Sequence, residues 1–189
     1  MQEMVIYGVS FDLVGKQPIV LLKTADSNKF LPIWIGHSEA AAILTKLQDQ
    51  TPPRPMTHDL VTEMLEQLEA RVLRITVTEL RESTFYATIT LQLNGTEVEI
   101  DSRPSDAIAL AVRSLDPSGE RDHAPIFADE TVIEESAIEF EGDVEETERQ
   151  IQRSATLQDV DPTDFRRFLD EVTPEQFAQP VVEDGDDDD

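Results

Sequence analysis

The sequence predicts an α+β fold: a mixed β-sheet built from two strand meanders, each followed by helix, with helices covering the sheet. Three observations carry this reading. Strand-like stretches come in two groups of three, and each group feeds a helical stretch. Asn94-Gly95 stands between two of these stretches as a tight hairpin turn. The segment from Arg103 to Ala111 opens polar and then becomes almost wholly apolar, as a helix buried on a sheet must be.

The elements follow in order. Residues 4–11 and 18–24 read as strands joined by a hairpin through Val14-Gly15-Lys16-Gln17, and residues 30–35 form a third strand ended by Gly36. Phe30 and Trp34 lie in that apolar strand and are expected in the core. A helix begins with Ser38 as its cap and Glu39 in its first turn, and Ile43, Leu44 and Leu47 make its apolar stripe. Thr51-Pro52-Pro53-Arg54-Pro55 stops it. A second helix starts at Thr57. Leu60, Val61, Met64, Leu65 and Leu68 recur at helical spacing, while Thr62, Glu63, Glu66 and Glu69 face water. Strands follow at 72–80, 85–93 and 97–100. The buried helix runs from Pro104 to about Leu115, where Asp116-Pro117-Ser118-Gly119 ends it, and residues 124–128 make a last short strand.

Past Asp129 the composition shifts. The sequence divides into an α+β domain (1–135), an acidic linker (136–160), a short amphipathic helix (161–177) with Phe165, Phe168, Leu169 and Val172 on one face, and an acidic tail (178–189). Charge follows the same division. Residues 1–127 hold 11 basic and 18 acidic groups, and the rest hold 4 and 22, within a net charge of −25. Such a chain is repelled by nucleic acid at long range, so a nucleic-acid function must overcome that field. The excess sits mostly on the C-terminal third, where a polyanionic tail can compete for a basic groove or simply solvate the terminus.

The absence of cysteine excludes disulfides, thiolate nucleophiles and Cys-based zinc sites, and fits a reducing, cytoplasmic setting. The N-terminus shows no signal-peptide pattern, and no apolar run is long enough to cross a bilayer. Phosphate-loop, dinucleotide, His-Glu-x-x-His and nucleophile-elbow motifs are absent, as are basic patches interleaved with aromatics.

The chemistry-bearing residues cluster at helix starts. Arg103 precedes a proline and is pushed to extended backbone, which an N-cap needs, and Pro104 suits the first helical position. Ser105 and Asp106 complete that turn, whose N–H groups can cradle a phosphate. The alternative is architectural: Ser105 and Asp106 satisfy helix N–H groups while Arg103 pairs with Asp101. Asp101 and Asp106, with Glu39 as a third carboxylate, are candidate ligands for a divalent metal, Mg²⁺ or Mn²⁺. His37 and His58 sit at helix starts, where the positive helix end keeps imidazole neutral and able to act as a base. His123, in a polar loop, is the weaker candidate. Arg54, on a stiff proline-flanked loop, joins Arg103, Ser105 and His37 as a candidate phosphate or substrate contact.

Three segments, in order, carry a family resemblance: Leu31-Pro32-Ile33-Trp34-Ile35-Gly36 with Glu39-Ala40 and Ile43; Arg54-Pro55-Met56-Thr57-His58-Asp59-Leu60; and Asp101 through Ala111. Together they resemble the bifunctional nuclease domain family over about residues 1–135. The resemblance implies a compact, self-associating α+β domain, a dimer being the simplest case, and nuclease activity on RNA and DNA. The 165–177 segment resembles a short C-terminal helix of bacterial members. No catalytic residue comes with the resemblance, so the assignments rest on motif positions: His58 as base, Arg103 on the phosphate, and Asp101, Asp106 and Glu39 on a metal. Two other readings stay open. One is a non-catalytic regulatory or scaffold protein that binds a protein partner through the C-terminal helix; the other is a small-ligand domain in which Arg103 pairs an anion.

Overall fold

In the computed structural model, residues 1–12 and 17–139 are described. The expected 13–16 turn, the linker beyond residue 139, the 161–177 helix and the acidic tail lie outside the described residues. The elements are β1 (Gln2–Asp12), β2 (Gln17–Thr24), β3 (Lys29–Trp34), α1 (His37–Leu47), α2 (Thr57–Gln67), β4 (Arg71–Arg81), β5 (Thr84–Leu93), β6 (Thr96–Ser102), α3 (Pro104–Ala111), β7 (Ile126–Ala128), α4 (Glu130–Ser136) and β8 (Ile138–Glu139).

The strands form one mixed eight-stranded sheet in the order β6-β5-β4-β7-β1-β2-β3-β8. Each meander is antiparallel, and β7 joins them at the centre, antiparallel to β1 and parallel to β4. The expected α+β architecture of two meanders with helices is the one observed. Residues 130–139 add a helix and a strand that periodicity did not reveal, because seven and two residues are too few to show a period.

A single core cluster runs across both meanders, from Leu22, Leu31 and Ile33 through Ile75, Val77 and Ile89 to Ile126 and Ile133. Helix α3 lies on it. Seven of its eight residues are buried, and the alanines at 107, 109 and 111, on opposite sides of the helix, let its backbone approach both the sheet and its neighbouring helices. The helix ends at Ala111, short of Leu115, because the N–H groups of Arg113 and Ser114 bond back three residues to Leu110 and Ala111 and tighten the last turn. Strand β6 is an edge, exposed along almost its whole length, and Glu97, Glu99 and Asp101 give it a row of charges that discourages further pairing.

Two sequence expectations are corrected by packing. Phe30 is buried, but Trp34 stands 51% exposed between the buried Ile33 and Ile35. Helix α2 is turned over relative to its amphipathic pattern. Leu60, Val61, Met64 and Leu68 are exposed, while His58, Asp59, Thr62 and Leu65 are the partly buried face. Polar contacts to α3, together with Leu65 packed against the core, fix its rotation.

Candidate active site

Three helix beginnings meet at one place. Helix α1 is capped by Gly36, not Ser38: Ala40 N–H bonds to Gly36 carbonyl, and the Ser38 hydroxyl donates to Glu39 Oε2 instead. Helix α2 is capped by Met56 instead of Thr57, with Asp59 accepting the Met56 N–H at 2.8 Å. Helix α3 is capped by Arg103 in extended conformation with Pro104 at its first position, as proline geometry requires. Each helix thus carries a carboxylate at its third residue (Glu39, Asp59, Asp106), opposite the partial positive charge of its N-terminus.

Asp106 is the node. Arg103 Nε donates to Asp106 Oδ2 at 2.7 Å, and Arg103 Nη2 reaches Asp106 Oδ1 at 3.1 Å and Glu39 Oε1 at 3.0 Å. His58 Nε2 lies 3.1 Å from Asp106 Oδ1. Arg103 therefore pairs with Asp106 and Glu39, not with Asp101. The side chains of Ser105 and Asp106 do not cap the helix either. Burial pushes the Asp106 carboxyl up, but the hydrogen bonds and charges of Arg103 and His58 outweigh it and hold it below the ordinary range. For Glu39 burial likewise acts upward, and its own backbone N–H, Ser38 and Arg103 bring the net shift down. The hydrogen bond that Arg103 donates to Asp106 raises the guanidinium above its ordinary value, despite an opposing effect of burial. Both carboxylates and the guanidinium are charged at neutral pH.

Glycine 36 is needed for space. Its backbone is ordinary (φ −75°, ψ 161°), but a Cβ there would overlap Glu39 Oε2. The Glu39 carboxylate folds back against the Gly36 Cα, and so points at Arg103 from a fixed position.

A residue outside the expected set holds the helices together. Arg113, just past α3 and 4% exposed, donates from Nε to Asp59 Oδ1 at 2.6 Å, from Nη1 to Ala109 carbonyl at 2.9 Å and from Nη2 to Ala42 carbonyl at 2.9 Å. One planar guanidinium thereby ties α1, α2 and α3. It sets the rotation of α2 that delivers His58 to Asp106. Its sequence signal was an arginine following a nearly uncharged helix, where a cation has to find a carboxylate elsewhere.

The remaining candidates divide. Ser105 is buried and lines a cleft of about 360 Å³ beside Arg103. His37 begins α1 and packs against the Phe11 ring at 5.9 Å. Arg54 is exposed on the α1–α2 loop, with no ion pair among the described residues. Asp101 sits in the charged row of β6 opposite Thr88 and is not grouped with Glu39 and Asp106 among the described residues. Among the described residues no three His, Asp or Glu side chains are grouped as metal ligands. Glu39 and Asp106 are the two brought to one cation, and that cation is Arg103.

A family model described as the bifunctional nuclease domain matches residues 20–141. An uncharacterized protein of Mycobacterium tuberculosis is 32% identical over 177 residues, covering 94% of this chain and 98% of that protein. A protein of Oryza sativa subsp. japonica named Bifunctional nuclease 1 is 32% identical over 109 residues, which is 56% of this chain and 33% of the rice protein. The match therefore spans about a third of the rice protein.

Proposed function

The chain belongs to the bifunctional nuclease domain family, and from that premise we propose that it hydrolyses phosphodiester bonds in RNA and DNA at the cluster of Glu39, His58, Arg103 and Asp106. The observation that carries the proposal is the continuous contact chain His58–Asp106–Arg103–Glu39, drawn from three helices into one site.

Asp106, ionised and bonded to His58 Nε2, holds the ring hydrogen on that nitrogen and leaves Nδ1 as the basic one. Nδ1 takes a proton from water as the water oxygen attacks phosphorus, and the bond to the leaving oxygen breaks as that oxygen is protonated from solvent. Arg103 Nη1 has no partner among the described residues, and the side chain is mostly exposed, so its two N–H groups are available to a phosphate. They offset charge that builds on the phosphoryl oxygens. Glu39 anchors the other edge of the guanidinium.

Glu39 and Asp106 also have the hard-oxygen chemistry that Mg²⁺ or Mn²⁺ selects, and two carboxylates suffice for an ion that keeps its waters. Bound there in place of the guanidinium, such an ion would supply charge neutralisation and a more acidic water.

The test is cleavage of single- and double-stranded RNA and DNA by highly purified protein, with Mg²⁺, Mn²⁺ or EDTA. His58→Ala and Asp106→Ala are each expected to lower kcat about 10²–10⁴-fold. Activity that survives both substitutions excludes this site.

One observation favours a second reading, a protein-binding module. The outward face of α2 presents Leu60, Val61, Met64 and Leu68 together. Under this reading the face mediates self-association or binds another protein. Leu60→Glu with Met64→Glu would then change the mass measured by light scattering.

A further inference from the structure

Resting on the phosphodiester reading above, we propose that the cleft beside Arg103 is a nucleotide subsite. One unpaired base stacks on Trp34, its phosphate meets Arg103, and single-stranded nucleic acid is the preferred substrate.

The cleft lies between the end of β3, the β4–β5 turn and the start of α3. Its volume of about 360 Å³ falls in the range of small-ligand sites. The walls carry the groups a nucleotide uses. Trp34 offers a half-exposed indole at the end of a strand whose other apolar side chains are buried. Phe85 adds a second ring, partly buried against the core. Arg103 supplies the cation.

Two further features point the same way. Ser105 is 7% exposed and lines the cleft beside Arg103, where its hydroxyl is a polar group of the wall. The opposite rim is the β4–β5 turn, where Glu82 (φ 49°) and Ser83 (φ 61°) both hold left-handed backbone without being glycine. That turn sets the Ser83 and Thr84 hydroxyls at the rim, within the lining of the cleft.

Stacking selects for strandedness. Every base has a π-face, so an aromatic platform tolerates sequence, but it can engage only a base that is free of its duplex neighbours. Because Arg103 belongs both to the cleft and to the His58–Asp106 cluster, a base on Trp34 would hold the adjoining phosphodiester near the proposed base.

Trp34 is the single tryptophan of the chain, so intrinsic fluorescence reports on this subsite alone. The experiment titrates the full chain with a 5′-fluorescein oligothymidylate and with a blunt duplex of equal length. It records tryptophan quenching, anisotropy, and cleavage kinetics. The expected result is saturable quenching by the single strand and little by the duplex. Trp34→Ala should weaken single-strand binding, and raise KM, about tenfold (about 1.4 kcal/mol, one lost base stack) with kcat nearly unchanged, while Trp34→Phe restores most of the loss. Trp34 is half-exposed, so neither variant removes core packing. If the wild type cleaves while Trp34→Ala keeps its KM and no quenching occurs, the subsite is overturned and the nuclease reading stands. If the wild type binds with quenching, loses binding in Trp34→Ala and never cleaves, the subsite stands and the nuclease reading falls. No binding and no cleavage overturns both.

Discussion

Arg113→Ala should be among the most damaging single substitutions outside the apolar core, and its cost can be worked from the contacts. The guanidinium makes three charge-assisted hydrogen bonds and is 4% exposed. Its removal leaves two groups in difficulty. Asp59 loses its counter-ion but keeps the Met56 N–H and is 30% exposed, so water can partly replace the arginine. The fully buried Ala109 has no such recourse: Arg113 N–H already bonds to Leu110 carbonyl, so the guanidinium is the partner shown for Ala109 carbonyl. Breaking a buried pair from one side costs about 3–5 kcal/mol, and the partial hydration of Asp59 places this case near the lower end, about 3 kcal/mol. That corresponds to roughly a 10 °C fall in Tm for a domain of this size. Urea denaturation followed by circular dichroism should show a lower midpoint at unchanged slope. Arg113→Met combined with Asp59→Asn should recover part of the loss, since no uncompensated charge then remains. A cost under about 1 kcal/mol, the range of a surface ion pair, would refute the assignment of Arg113 as the tie between the three helices.

Three further outcomes are expected. Gly36→Ala should leave stability within about 1 kcal/mol, because the backbone there suits alanine, yet displace the Glu39 carboxylate from Arg103; an unchanged Glu39 titration by NMR would contradict the steric argument. Asp116 is held at about 2 by the Ser118 hydroxyl and N–H and by Arg121, against 3.8 when unperturbed. The unfolded chain therefore binds more protons between these values, and this part of stability is complete above about pH 4 and lost as pH falls through 2. Asp116→Asn should flatten the stability profile in that window, and an unaltered profile would argue against it. Deleting residues 178–189 removes six acidic groups; oligonucleotide affinity should rise at low salt and converge with wild type at high salt, and equal affinity at low salt would end the idea of a competing tail.

Local chemistry was readable wherever it acted within a few residues. Arg103 caps α3 because Pro104 restricts the residue before it, and Asn94-Gly95 turns the β5–β6 hairpin with positive φ at both positions. Contacts distant in sequence were not readable. Asp101 looked like a partner for Arg103 two residues away, but a strand residue and a helix cap there do not meet, and Asp101 belongs to the charged edge of β6. The apolar stripe of α2 implies burial of Leu60 and Met64, but the helix docks on a rotated face that keeps only Leu65 of the stripe, because Arg113 and Asp106 bind Asp59 and His58. Trp34 reads as core because its strand is apolar, yet its side chain stands exposed between the buried Ile33 and Ile35, on the other face of the strand from both.

What the amino acids alone determined is the run of elements through β7 and the placing of reactive groups at helix starts, since caps, turns and periodicity act over one or two turns of chain. What the tertiary structure decided is which of those groups meet. Asp106 takes His58 from 48 residues away, and Arg113 takes Asp59 from 54. The physical reason is that a charge pair is chosen by burial and by the orientation of whole helices on the sheet, neither of which any local stretch of sequence contains.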